Sequence, residues 1–414
     1  MNEIRKKFEY IPISLKDILR SMKRNIDLMI DLAYSAVKFG SEEIADETSR
    51  IEHRIHDLTF LLYLQIIQTQ VGGIKEAKKL EPIVVMGYSI DKISDALADI
   101  AKVVYINRYI GDFTQLFWDK VPEPIVKVTV NENCNFIGLP RLEVHFRSKY
   151  GVDLIAIKRG DQWLFGFDET IHKDDILIIK GELELIYELK TLVYDLEPIS
   201  FRLDEDKREN IFDLSDPEIF KELEDLKNDY VKITDISETM IELALASLFF
   251  NSYELAEDML EMEELMDALN AKFEKDLLAF ANLSKNPRIL TGIMKIIFSC
   301  EQISDAASSI AENIVKGFEP HEIVQKAIEE TPEIVVRETV SKKSFFNGKT
   351  YAELQNNRYK KGFHIVAMKR ENNWIYGFKR EFKFQEGDLL IGLGPKETVE
   401  QWRYGVRPEN SNGD

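Results

Sequence analysis

The chain has 414 residues and a mass of 48.0 kDa, room for two to three domains. Hydrophobic residues make up 44% of it and charged residues 31%, which excludes wholesale disorder. The 54 basic against 73 acidic side chains leave a net charge of −19, a poor match for a phosphate backbone, so nucleic acid is not expected as a partner.

Cys134 and Cys300 are the only cysteines. Two thiols cannot build a disulfide framework and fit a reducing cytoplasm, where each reads as a buried structural thiol. The longest apolar stretches, around Phe60–Val71 and Ile241–Phe250, fall short of the roughly 18–20 residues a membrane span needs. The opening MNEIRKKFEYIP has charges but no apolar h-region, so a signal peptide is not expected. Any membrane role is expected to run through a partner.

The chain repeats itself with a period of about 210 residues. MIDLAYSAVKFGSEEIAD from Met29 aligns with MIELALASLFFNSYELAE from Met240, and IKRGDQWLFGF from Ile157 with MKRENNWIYGF from Met368. KDDILII from Lys173 aligns with EGDLLIG from Glu386, and ISDA occurs at Ile93–Ala96 and Ile303–Ala306. Each half holds a helical part and then an α+β part, with expected boundaries at 1–121, 122–200, 201–330 and 331–414.

In chain order, Ser14 is the expected N-cap of a helix whose apolar 3.6-residue period runs to Phe39. Gly40 follows where a left-handed C′ residue is wanted, and Ser41 can cap the next helix. Asn251 and Ser252 hold those places in the second half, and Asn is the usual substitute for Gly there. The next helix carries Ile44, Ile51, Ile55, Leu58 and Leu62 on one face, and a further one Ile90, Ile93, Leu97, Ile100 and Val104. Each helical part therefore reads as an antiparallel bundle of three or more helices. In the α+β part, Pro122 and Pro124, matched by Pro332, punctuate the start. IVKVTV from Ile125 alternates as a strand, Gly138 begins a turn, and Arg141–Tyr150 is a short helix ended by Gly151. VDLIAIKR from Val152 is a buried strand, Gly160–Asp161 a hairpin turn into QWLFGF, DILIIK from Asp175 a strand, and Glu182–Leu189 a last helix. The acidic stretch Asp204–Asp229 links the halves and turns helical at Pro217, a favoured first helical residue. The expected fold class is α+β multidomain, two helical bundles alternating with two β-α-β-β-β-α domains.

The α+β segments resemble the TrkA-C (RCK-C) regulatory domain of potassium-transport subunits. The likeness rests on Gly138, KYGVDLIAIKRG from Lys149 and DDILIIKG from Asp174, and in the second copy on NGKTYAEL from Asn347, KKGFHIVAMKR from Lys360 and EGDLLIGLG from Glu386. The helical parts are similar to PhoU-type bundles, regulators of phosphate and ion transport, through EQISDAASSIAENI from Glu301. The resemblance implies a cytoplasmic, non-catalytic regulator of a prokaryotic membrane cation transporter or channel, with potassium the default ion and magnesium or phosphate behind it. It also implies that the RCK-C copies pair two-fold, as an intramolecular pseudo-dimer or between chains of a homodimer. The Rossmann domain that usually precedes RCK-C is missing, and no GxGxxG opens a helix after a strand. GLG at Gly392–Gly394 reads as a plain strand-to-helix turn, so NAD is not expected.

PhoU-like bundles hold metal through E/D-x-x-x-D spacings, since carboxylates at i and i+4 lie on one helical face and converge on one hard cation. Asp91, Asp95 and Asp99 have that spacing, as do Glu301 and Asp305. Glu52 and Glu263 stand on the preceding helices, with Thr48 and Met259 where the resemblance leads one to expect Asp. A divalent or iron-type ion is one reading, and a solvated acidic face the other. His53 and His56 could likewise ligate a metal, with Glu264 and Asp267 in their places in the second half, or simply face water. RCK-C resemblance further implies a small effector, cyclic di-AMP among the class. A pocket for such an anion needs cations and apolar walls. Candidates are Arg147 and Arg358, the walls Val152, Leu154, Ile155 and Ala156 or Phe363, Ile365, Val366 and Ala367, and the basic pairs Lys158–Arg159 and Lys369–Arg370. The alternative is a strand in a dimer core beside a solvated basic turn. Trp163 and Trp374, at matching hairpin positions, read as core or as cover for a partner face. There is no GxSxG, Walker A loop or HExxH, so no enzyme is expected. The alternative function is a metal- or phosphate-sensing adaptor acting through the acidic faces of the bundles.

Overall fold

The computed structural model describes residues 13–68, 73–106, 125–160, 162–166, 168–181, 185–189, 216–283, 287–318, 333–355, 363–371, 373–375, 378 and 381–408. Pro122, Pro124, Asp161, residues 204–215, Pro332 and Arg358 lie outside them. The first half runs α1 (Leu15–Phe39), α2 (Glu42–Gln68), α3 (Ile74–Ile106), β1 (Ile125–Thr129), α4 (Arg141–Val144), β2 (Val152–Arg159), β3 (Gln162–Leu164) and β4 (Ile176–Gly181). The second runs α5 (Pro217–Phe250), α6 (Tyr253–Ala281), α7 (Leu290–Val315), β5 (Glu333–Thr339), α8 (Tyr351–Gln355), β6 (His364–Arg370), β7 (Asn373–Ile375), β8 (Leu389–Pro395) and α9 (Val399–Val406). The chain divides into two compact units that each draw on both halves: residues 1–114 with 236–331, and residues 115–235 with 332–414.

In the helical unit, local turn chemistry sets the helix ends. Ser14 Oγ accepts the Asp17 N–H at 3.1 Å. Gly40 adopts φ 56° and ψ 36°, and the Ser41 N–H donates to the Ala36 carbonyl at 2.9 Å, the long bond of a Schellman end. Asn251, at φ 46°, repeats this, with the Ser252 N–H on the Ser247 carbonyl at 2.9 Å. Ser41 and Ser252 then cap α2 and α6 through the N–H groups of Ile44 and Leu255, at 3.4 and 3.3 Å. All ten apolar residues named for α2 and α3 are buried. Helix α2 packs on α1 and α3, α6 on α7, and α3 along α7, so the two helical triples share one core. Within that core the Tyr34 hydroxyl lies 3.2 Å from Ser237 Oγ and 3.7 Å from Cys300 Sγ. Burial pushes the Cys300 thiol up to about 11 and raises Cys134 too, so both free thiols are poor nucleophiles.

The second unit carries two four-stranded antiparallel sheets of one topology, β1-β4-β2-β3 and β5-β8-β6-β7. Both share one irregularity: the register shifts between Leu154 and Ala156 on β2 and between Ile365 and Ala367 on β6. One face of the first sheet buries Val126, Val128, Leu154, Leu177 and Ile179 with Phe136, Phe146 and Ile186. Its other face also buries Ile125, Ala156 and Ile178, as the second sheet does Ala367 and Ile391. Apolar positions on both faces are therefore covered within one chain.

The expected helix Arg141–Tyr150 is interrupted. Helix α4 ends at Val144, His145 is left-handed at φ 53°, and Phe146–Tyr150 forms a single π turn before Gly151. Val144 and Phe146 are both buried, with Phe146 edge-on to Phe136 at 5.4 Å. A continuous helix would point residues two apart to nearly opposite sides, so burying both requires the break. The second copy instead caps α8 with a Thr350/Glu353 box, the Thr350 N–H on Glu353 Oε2 at 2.8 Å and the Glu353 N–H on Thr350 Oγ1 at 3.2 Å.

Trp402 on α9 anchors the second α+β core. It is fully buried, stacked on Phe363 at 5.4 Å and edge-on to Phe346 at 6.1 Å. A Cβ at Gly392 would lie 2.8 Å from its ring, so the first glycine of GLG makes room for an indole. Trp402→Ala should destabilise this domain by about 3–5 kcal/mol, read by urea unfolding. A loss below about 1 kcal/mol would mean the pocket collapses without penalty.

Candidate functional site

The basic pairs at the ends of β2 and β6 serve a structural purpose. Arg159 donates through Nε and Nη2 to the two Asp175 oxygens, each at 2.8 Å, and Nη2 also to the Thr170 carbonyl at 2.6 Å. Arg370 repeats the fork on Asp388 at 2.7 and 2.7 Å, with the Lys383 carbonyl at 2.9 Å. The aspartates, 0% and 1% exposed, also accept the N–H groups of His172 and Gln385 at 2.7 and 2.8 Å. A buried carboxylate requires a fixed countercharge, and these guanidiniums supply it. Arg159 and Arg370, expected from the sequence among effector contacts, are thus placed in ion pairs with buried aspartates. Lys158 and Lys369 lie over the rings of their cross-strand partners Trp163 and Trp374, at 5.3 and 5.4 Å. Trp374 is buried and Trp163 half-buried.

Of the expected effector walls, Val152, Leu154, Phe363 and Ile365 belong to the helix-side cores. Ile155, Ala156 and Ala367 are buried and Val366 is half-buried. The Arg147 side chain lies outside the described residues, as Arg358 does. The described members of the expected effector set are thus spread over core, ion-pair staple and hairpin.

A different cluster does converge. Glu263 and Asp267 on α6 and Asp305 on α7 each offer a carboxylate oxygen, all within 4.8 Å of one another, and no other group of three such ligands occurs among the described residues. Burial raises the Glu263 carboxyl above its ordinary range, and the charges of Asp267 and Asp305 raise it further. Burial, then Asp305 and Asp267, do the same to Glu301, and burial, then Asp267, to Asp305. These acids repel one another at neutral pH, and a cation would relieve them. Hard oxygen donors at i and i+4 on two facing helices fit a Mg²⁺, Mn²⁺ or iron-type ion.

Asp267, which the sequence pairs with His56 as a candidate ligand, stands four residues from Glu263 on α6 and so shares its face. Met259 is a core residue, and Thr48 is buried with its hydroxyl donating to the Ile44 carbonyl at 2.9 Å, so neither is a ligand position. The first-copy acids do not gather. Asp91 lies 3.3 Å from His56 Nδ1, Glu52 3.4 Å from His53 Nδ1, Asp95 3.3 Å from Lys92 Nζ, and Asp99 3.4 Å from Lys295 Nζ.

Comparison with known proteins finds likenesses in the helical parts. The PhoU domain model matches residues 19–104 and 230–314. A phosphate-specific transport system accessory protein PhoU homolog of Aquifex aeolicus is 29% identical over 101 residues, 23% of this chain and 46% of that protein. The Ktr system potassium uptake protein C of Bacillus subtilis is 36% identical over 58 residues, 14% of this chain and 26% of that protein. The matches thus span about half of the first relative and about a quarter of the second. The GsuK RCK domain structure aligns at 13% identity, covering 69% of this chain and 64% of that one, with a TM-score of 0.17, too low to carry an argument. No helix among the described residues is long and apolar enough to cross a membrane. The PhoU match therefore recurs, once in each half of the chain.

Proposed function

We propose that this chain is a cytoplasmic, non-catalytic regulator of a membrane cation transporter or channel of the potassium type, with a hard divalent cation at its second PhoU copy as an input. The observation that carries the reading is the convergence of Glu263, Asp267 and Asp305. The likeness to a potassium uptake protein supports the choice of ion. A bound cation would cancel repulsion across α6 and α7 and draw the helices together. Because α7 packs along α3, that movement would reach the first triple as a shift between two arrangements.

Photo-crosslinking in native membranes tests the reading, comparing the manganese-loaded chain with the chelator-stripped one. An integral membrane ion transporter should be recovered, in amounts that differ at least about threefold between the two states. Recovery of soluble proteins alone would overturn the proposal.

A further inference from the structure

Exposed apolar side chains recur at one place in both helical triples. On α6 and α7, Leu278 is 63% and Phe298 53% exposed, and the matching Ile67 and Tyr88 on α2 and α3 are 77% and 54% exposed. A single exposed leucine is ordinary. A pair left outside the core at the same two positions of both copies marks a surface that something else covers. In the second copy the pair lies level. Glu263 and Asp267 on α6 face Asp305 on α7, and Glu274 is close enough to Glu301 for its charge to act on it. The two helices are therefore antiparallel. Leu278, four residues beyond Glu274, and Phe298, three before Glu301, fall on the next turn of the same groove.

The groove thus starts in an apolar rung and runs on for about 16 Å as a row of carboxylates, from Leu278 back to Asp267. Every charge that acts on Glu263, Glu301 and Asp305 is itself a carboxylate, so among the described residues nothing offsets them. The nearby lysines are engaged along their own helices, Lys272 with Asp276 at 3.4 Å and Lys316 with Glu312 at 2.7 Å. The first copy differs. Tyr63 stands where Glu274 does, and Asp91 and Asp95 each have a basic nitrogen at 3.3 Å. This charge pattern selects the occupant of the second copy. An anionic lipid surface or an acidic peptide would be repelled. A second chain seated by a two-fold axis would set the carboxylate row against itself. A helix with apolar anchors in one turn and lysines or arginines in the next turns of the same face fits both parts of the groove.

We infer that the α6/α7 groove docks a cationic, amphipathic helical segment of the partner, with Leu278 and Phe298 gripping its apolar turn and Glu274 and Glu301 its lysines or arginines, and that the first copy's face does not bind it. The inference rests on the proposed regulatory role and names the chemistry of the segment that the transporter presents.

The test is fluorescence anisotropy of a labelled helical peptide of about 18 residues, with Leu and Phe in one turn and Lys in the next two turns of the same face, titrated with the full chain in chelator at about 150 mM salt. Saturation at one peptide per chain is expected. Phe298→Ser and Leu278→Ser should each weaken binding about tenfold, and Glu274→Gln/Glu301→Gln at least about tenfold, while Tyr88→Ser leaves it unchanged. All of these side chains are exposed or half-buried on helix surfaces, and a circular dichroism melt confirms folding. Equal binding of a peptide of the same composition with its anchors and lysines on different faces, or full binding by Phe298→Ser, would reduce the effect to bulk charge attraction and overturn the inference. A change from dimer to monomer in Phe298→Ser, read by sedimentation, would show that a second copy covers the face and would also overturn it. So would no binding at about 100 μM. Recovery of a transporter by crosslinking would in each case leave the proposed function standing.

Discussion

Asp175→Ala or Asp388→Ala is expected to destabilise its α+β domain by about 3–5 kcal/mol, because each leaves an Arg fork without its buried partner. Both aspartates meet the same three kinds of donor, an Arg Nε, an Arg Nη2 and a backbone N–H three residues upstream. Losing one therefore frees the strand end and the loop before β4 or β8 together. The pair should also make the first domain acid-labile. Burial pushes the Asp175 carboxyl up, but the Arg159 bond, the His172 N–H and the two positive charges together hold it below its ordinary range. A depressed carboxylate contributes stability above its unfolded value and loses it as pH falls through the folded one. Urea unfolding at pH 7, and an acid titration followed by circular dichroism, measure both effects. If Asp175→Ala costs less than about 1 kcal/mol, the fork is a surface ornament.

Adding Mn²⁺ should raise the thermal stability of the stripped protein at neutral pH, by about 2.7 kcal/mol at one hundred times the dissociation constant. The sign of the pH dependence follows from the cluster. Glu263, Glu301 and Asp305 are raised in the folded chain, first by burial and then by neighbouring carboxylates, Asp267 acting on all three. Without metal, their contribution is fully present below the ordinary carboxylate values and is lost as pH rises through the raised ones. With metal the trend reverses, since protons compete for the ligands and affinity grows with pH. Asp305→Asn should stabilise the stripped chain at pH 7.5 and abolish the manganese shift. Melts of both chains at pH 5 and 7.5, with and without Mn²⁺, decide it. An undiminished shift in Asp305→Asn would place the ion elsewhere.

The contrast between these two sites explains how much could be seen in advance. Ser14, Gly40, Asn251 and Ser252 act on neighbours within five residues, so their roles follow from local backbone chemistry. The faces of α2 and α3 follow from period, and β2 from a run of apolar and β-branched residues between Gly151 and Gly160. Because the repeat doubles each of these signals, the fold class is legible in the sequence.

The forks were not readable. Arg159 stands beside Lys158 at a hairpin and looks like free positive charge, while its partner is sixteen residues away behind another strand. Only the pairing of β2 with β4 brings Asp175 under it. The break at His145 has the same origin, since the competing demands of Val144 and Phe146 exist only once there is a core to enter. The acidic site falls between the two cases. Its ligands have helical spacing that the sequence displays, but whether such a row is neutralised by the chain or left for an ion depends on which side chains the neighbouring helix presents. The sequence by itself determined the elements, their ends and their duplication, because those are set by contacts a few residues apart. Only the tertiary structure decided which charges are paired and which are left facing one another, because a charge takes its partner from space and not from order along the chain.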